Sequence, residues 1–295
     1  MRCLAVLALA AAAVPIGLTG CMQRAIPADR SIEVTSPTTS PSRSLPSRLR
    51  VVTFNVHREP ADVIARGIAS DPRLREADLI VLQEVHRIET DASPGDDACS
   101  SACTLGKELG YHALYAPGHV QGDGTDGVAI LSRAPILASE VIELPYFDVT
   151  FNSGRRVALA ATILVDRRPV IVYAVHLDNR ITAGQRRTQM LPVLRHARQH
   201  DHPVIIAGDF NTSPFTWIRG VIPILTTTQD NRLEALVREH GFDTPVVDSG
   251  PTSRYLGMRL DAIYTRGFTI HAFDTSHAAD VSDHLALWAE GTLSS

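Results

Sequence analysis

From Arg50 to Glu290 the chain repeats one device: a short apolar run, a turn signal, then another run. "RVVTFNV", "DLIVLQEV", "GVAILSR", "VALAATILV", "PVIVYAVHL", "PVIIAGDF", "LDAIYTR" and "HLALWAE" are each short and rich in Val, Ile and Leu, which predicts strands. Several are apolar at nearly every position, so both faces are expected to be covered. Helical patterns lie between some of them, at 61–70, from Thr182 to about Gln199, and at 231–240. Pro192 predicts that the second helix is kinked or begins there. "ILVDRRPVIVY" predicts a hairpin turning at Asp166 to Arg168. Hairpins among the strands favour two packed sheets flanked by helices over one doubly wound sheet, in a single α/β domain of about 245 residues.

The strands also share a habit at their ends. "VVTFN" stops on Asn55, "LIVLQE" on Glu84, "VIVYAVH" on His176 with Asp178 after it, and "VIIAGDFN" on Asp209 and Asn211. "RLDAIY" carries Asp261 at its start, and "VSDHLALWA" begins on Asp283 and His284. Asp209 and Asn211 are two apart, so in an extended chain they project to one face. One Asp or Asn at a strand end is ordinary turn chemistry. Acidic, amide and imidazole groups at five or six ends describe a rim built for chemistry.

Each group has a part it can take. Glu84 follows an apolar run, and a lone carboxylate near a core needs a cation or a hydrogen-bond donor. Asn55, Glu84 and Asp283 would make an open all-oxygen site for a hard divalent cation: Mg²⁺ or Mn²⁺, with Ca²⁺ as a further candidate. His284 fits a general base that activates water, with Asp261 orienting it. Asp209 and Asn211 would position water and phosphate, and His176 would donate to a phosphate oxygen.

The first 50 residues read differently. Met1-Arg2 precedes an apolar run from Leu4 to Leu18 and then "LTGC", the outline of a secretory signal over residues 1–20. The run is short for a membrane span. Its ending resembles a bacterial lipoprotein signal, which implies lipid on Cys21, export, and a membrane anchor outside the cytoplasm. Residues 21–48, rich in Ser, Thr and Pro, are expected to be a flexible tether before a domain at 49–295. In an exported chain, Cys99 and Cys103 of "DDACSSACTLG" are expected to close a small disulfide loop.

Formal net charge is −4 and the pI is near 6.3. That balance gives no general attraction to polyanions. Lys107 is the only lysine.

"FNVH", "LQEV", "GVAILSR", "VHLD", "GDFN" and "VSDH", in this order, resemble the endonuclease/exonuclease/phosphatase family of metal-dependent phosphoesterases. Its members include DNase-I-like nucleases, abasic-site endonucleases, neutral sphingomyelinases and inositol polyphosphate 5-phosphatases. The resemblance spans about Arg50 to Glu290 and implies a four-layer α/β/β/α sandwich. It implies that Asn55 and Glu84 ligate metal and that Asp283 assists. It also implies that Asp209 and Asn211 act on nucleophile and phosphate, that His176 stabilises the phosphate, and that His284 with Asp261 is the acid/base pair. Arg156, with Arg155 beside it, stands where some members keep a substrate-facing Arg. Asp126 departs from members with Asn or Tyr near that position.

The expected partner is a phosphoester, either nucleic acid or a lipid head group, and the chain is expected to be a monomer. A calcineurin-type phosphatase would need a "GNH" segment, and a zinc hydrolase would need clustered His such as H-E-x-x-H; neither is present. The remaining alternative is a non-catalytic surface lipoprotein that keeps the fold as a binding module.

Overall fold

The computed structural model describes residues 27, 30–37, 43–88, 99–148, 154–212, 215–218, 222–225, 229–246, 248–255, 257–277 and 280–294. In chain order the elements begin with β1 (Glu33–Thr35), β2 (Arg48–Asn55), α1 (Ala61–Ser70), α2 (Pro72–Arg75), β3 (Leu79–Ile88) and α3 (Ser101–Leu109). Then come β4 (His112–Gln121), β5 (Gly124–Ser132), β6 (Ala138–Glu143), β7 (Val157–Val165), β8 (Arg168–His176), α4 (Ala183–Arg198) and β9 (Val204–Asp209). The chain ends with β10 (Phe215–Ile218), β11 (Ile222–Leu225), α5 (Gln229–Glu239), β12 (Asp261–Arg266), β13 (Phe268–Ser276) and β14 (Ala286–Leu293).

Two sheets carry the domain. One has the order β1-β4-β5-β3-β2-β14-β13, the other β12-β9-β8-β7-β6. Only β2–β3 and β8–β9 run parallel, so both sheets are mixed and mostly antiparallel. The inner faces meet in one core, where Val51, Leu79, Val81 and Ile130 of the first sheet share a cluster with Leu159, Val172 and Ile206 of the second. Met190, Val193 and Leu194 of α4 and Leu233, Leu236 and Val237 of α5 join that cluster from outside the second sheet. Ile64 and Ile68 of α1, Leu74 of α2 and Leu105 of α3 pack with Phe54, Ile80, Leu82 and Tyr115 on the outer face of the first. The layers are therefore α/β/β/α, the sandwich that the resemblance implied, with the two packed sheets read from the hairpins.

Local chemistry sets the details. Asp166 and Arg167 form a two-residue turn with φ of 49° and 62°, the both-positive geometry that matches strand twist between β7 and β8. Thr182 and Gln185 cap α4 reciprocally, and the helix then runs unbroken through Pro192, so it does not begin there. At Gly208 a side-chain carbon would fall 1.9 Å from the Val175 carbonyl oxygen, so only glycine lets β9 lie this close to β8 just before Asp209.

Three features differ from expectation. Residues 21–48 are not all tether: Glu33–Thr35 pairs antiparallel with β4, and Leu45 is buried in the main core and bridged to Val165. The apolar Ile32 and Leu45, packed on the main core, give this stretch enough to hold onto the domain edge. Cys99 and Cys103 are joined in a disulfide, but Cys103 lies inside α3, on a first turn capped by the Ser100 side chain, rather than in a loop. The strands β4, β6 and β13 did not stand out in the sequence, and each has a physical reason taken up below. Residues 1–20 and Cys21 lie outside the described residues.

Candidate active site

The register of the second sheet gathers the first group. His176 of β8 is paired with Asp209 of β9, and Asp209 in turn with Asp261 of β12. Three strand ends therefore deliver His176, Asp209 and Asp261 in one row. His284 joins them from the segment before β14, where the Ser282 hydroxyl accepts from the His284 N–H and bends the chain. Its Nδ1 lies 2.7 Å from Asp261 Oδ2, and its Nε2 lies 3.8 Å from Asp209 Oδ2.

The first sheet supplies the second group. A bulge interrupts β3 against β5 between Gln83 and Val85, and the residue left over is Glu84, with φ of 52°. A non-glycine residue held there costs ~1–3 kcal/mol and persists only when its surroundings impose it. The bulge turns Glu84 away from strand alternation while Gln83 stays in the core, bonded to Thr53. Asn55, at the end of β2, donates its amide to Glu84 Oε1 at 3.3 Å and to Asp209 Oδ2 at 3.1 Å, tying the two groups together. Asn211 is a second strained residue, with φ of 51°. Its N–H donates to Asp209 Oδ1 and its amide to the Leu177 carbonyl.

All of these residues except Asn55 and Asp261 border one cavity of about 520 Å³, together with Arg58, His119, Asp126, Arg155, Arg156, Arg180 and Asp283. The charges inside are strongly coupled. Burial pushes Asp209 up to about 7, against the pull of His284. For His284, burial alone would lower the imidazole, but the Asp261 and Asp209 carboxylates outweigh it and hold the ring up to about 10. In the ion-free chain His284 is thus an imidazolium balancing two carboxylates. A divalent cation entering the cavity would oppose that positive charge and lower the imidazole toward the neutral form a base needs.

The geometry gives partners to two of the expected residues. Asn55 presents its amide nitrogen to the carboxylates and its carbonyl accepts from the His57 N–H, which leaves that oxygen a second lone pair for an ion beside the oxygens of Glu84 and Asp283. Arg156 is not a free substrate contact. It is buried, its Nε donates to Asp178 Oδ1 at 2.8 Å, and its Nη1 lies 3.1 Å from His176 Nδ1. A guanidinium has only donors, so His176 Nδ1 accepts and the neutral ring carries its proton on Nε2. Asp126, the departure in the "GTDGVAILSR" loop, is buried against His86 at 3.1 Å and Arg58 at 3.7 Å.

The sequence reading gave no role to His57, Asp178 or Gln189. His57 Nδ1 lies 3.2 Å from Asp283 and 3.9 Å from Glu84, between the two carboxylates proposed to take an ion. Asp178 is buried and accepts from Gln189 of α4 while holding Arg156. The available signal was its spacing, since Asp178 follows His176 by two residues as Asn211 follows Asp209. Another buried cluster, Asp209, Asp261 and His284, brings its ligand atoms within 4.8 Å of one another. The donor chemistry also fits a hard divalent cation on the Glu84 and Asp283 side, where two carboxylates flank the half-exposed side chain of His57.

Residues 52–284 match the Endonuclease/Exonuclease/phosphatase family. Among solved structures, the endonuclease/exonuclease/phosphatase from Beutenbergia cavernae is 24% identical, with a TM-score of 0.65 over 84% of this chain and 72% of that one. A family protein from Leptotrichia buccalis is 18% identical, with a TM-score of 0.64 over 83% of this chain and 100% of that one. The human Nocturnin catalytic domain, solved with a bound sulfate anion, is 19% identical, with a TM-score of 0.59 over 85% of this chain and 96% of that one. At these identities the likeness concerns the fold. No curated protein matches the chain in sequence.

Proposed function

The chain belongs to the Endonuclease/Exonuclease/phosphatase family, and from that premise we propose that it is a divalent-metal-dependent phosphoesterase that hydrolyses a phosphodiester with a His284-activated water. The observation that carries this reading is the convergence of His284–Asp261, Asp209, His176 and Glu84 on one cavity, from strand ends far apart in sequence. A module kept only for binding has no use for a buried His–Asp pair facing a second carboxylate.

The chain's own residues divide the work. Asp261 holds His284 through Nδ1, which leaves Nε2 to take the proton from water as the oxygen attacks phosphorus; the bond from phosphorus to one ester oxygen breaks, and that oxygen leaves as an alcohol after taking up a proton from solvent. Asp209, 3.8 Å from that Nε2, orients the water. His176 offers its Nε2–H to a phosphoryl oxygen, with the tautomer fixed by Arg156 and, behind it, by Asp178 and Gln189. Glu84 and Asp283 would hold the cation. When bound, it supplies Lewis-acid charge against the phosphoryl oxygens.

The test is turnover by the purified protein of plasmid DNA, phospholipids and inositol phosphates, with the soluble diester bis(p-nitrophenyl) phosphate as reference. Turnover of none of them, with the fold intact, would favour the binding module.

We further propose that residues 1–20 are a signal cleaved before a lipidated Cys21. The support is the length of the apolar run and the small residues before that Cys. Stable anchoring takes more than one acyl chain, so the wild-type protein is expected in the membrane fraction with residues 1–20 removed. Recovery from the cytosol with those residues intact would refute the address.

A further inference from the structure

Strands β10 and β11 pair only with each other, as a two-stranded sheet apart from the sandwich. A lone ribbon of this kind is marginal in water. Ile222, Ile224 and Leu225 are 57%, 43% and 68% exposed, while Pro223 among them borders the active-site cavity. From Phe215 to Leu225 the sequence "FTWIRGVIPIL" carries one charge, Arg219, and no acid. Exposed apolar side chains grouped beside a catalytic mouth mark a partner.

Other exposed apolar side chains lie at the same end of the sandwich. Ile88 ends β3, four residues beyond Glu84. Tyr146 follows β6, whose last residue Glu143 pairs with Val157 of the cavity wall. Tyr255 follows Arg254, whose N–H donates to the Asp283 carbonyl. Of the eight large apolar side chains exposed among the described residues, only Val34 and Leu137 lie elsewhere.

The N-terminal segment shows what faces this end. β1 runs antiparallel to β4, with Glu33 opposite Tyr115 and Thr35 opposite Ala113, and β4 runs on to His119 in the cavity wall. The chain before Glu33 therefore leaves the domain at the cavity end. Eleven residues separate Cys21 from Glu33, a reach of at most about 40 Å. An acylated Cys21 would hold the cavity mouth and the ribbon toward the bilayer, not away from it.

We propose that this end docks on a phospholipid surface through the exposed Ile222, Ile224 and Leu225 of β11, and that the phosphoester it hydrolyses is borne on a lipid head group. The substrate half rests on the hydrolytic reading above; the docking half does not. Arg58 and Arg180 in the cavity wall suit a head-group phosphate emerging from such a surface.

The experiment uses the mature chain with Cys21→Ser, made without residues 1–20 so that no acyl chain contributes, sedimented with vesicles of phosphatidylethanolamine and phosphatidylglycerol. The chain is expected to pellet with the vesicles. Ile224→Asp with Leu225→Asp is expected to weaken vesicle affinity about tenfold or more, since two apolar side chains are withdrawn from the interface. Release of phosphate esters from vesicle lipid should fall in step. Turnover of soluble bis(p-nitrophenyl) phosphate should be unchanged, which also shows that the variant is folded. No vesicle binding by the parent, or equal binding by the double variant, overturns the docking. Plasmid cleavage without hydrolysis of any vesicle lipid overturns the substrate half. Failure to turn over the soluble diester would strike the hydrolytic reading instead, and vesicle binding would still decide the docking.

Discussion

His284→Ala is expected to lower kcat on a soluble phosphodiester by ~10²–10⁴, the range a general base contributes. The residue is buried, its Nδ1 is 2.7 Å from Asp261, and its Nε2 faces Asp209. The variant also removes the imidazolium that balances two buried carboxylates. Breaking a buried pair by deleting one partner costs ~3–5 kcal/mol, so a loss of stability is expected together with the loss of rate. The two are separated by measuring turnover well below the melting temperature, with folding checked by circular dichroism. His284→Gln keeps most of the volume but no base, and should be as slow as the alanine variant. Near-normal turnover by either variant would move the base elsewhere.

Glu84 gives the second large effect, with a signature that a structural role would not produce. Glu84→Gln keeps shape and removes charge. It should raise the Mg²⁺ concentration for half-maximal activity about tenfold or more, with calorimetric Mg²⁺ affinity falling in parallel. Glu84→Gly should stabilise the ion-free chain by up to ~1 kcal/mol, because glycine tolerates the φ of 52° that strains glutamate, while catalysis is lost. A residue that gains stability when replaced and loses activity is held in place for function. Unchanged Mg²⁺ affinity in the glutamine variant would remove Glu84 from the ion site.

The strand ends could be read from the sequence because their cause is local. An apolar run that stops on Asp209, His176 or Asn55 states both the strand and its polar terminus. The same logic failed where the cause lies elsewhere in the chain. Strand alternation puts Glu84 opposite Gln83, and only the bulge against β5 explains why Glu84 turns to the cavity. The pairing of Arg156 could not be read from the sequence because its partners Asp178 and His176 lie twenty or more residues away and Gln189 lies on a helix. β4 was hidden by Pro117 and Gly118 within it, and β6 and β13 by largely exposed, mixed-polarity faces. The Ser/Thr/Pro composition of residues 21–48 concealed a three-residue edge strand, too short for periodicity to register.

The central claim is that hydrolysis needs both the Glu84–Asp283 cation site and the His284 base in one cavity. It is tested most directly by turnover of bis(p-nitrophenyl) phosphate by the wild-type protein after exhaustive chelation, followed by titration with Mg²⁺ or Mn²⁺. The account predicts activity below detection in the ion-free protein, full recovery on adding the ion, and no recovery in His284→Ala at any ion concentration. Full activity after chelation would contradict it.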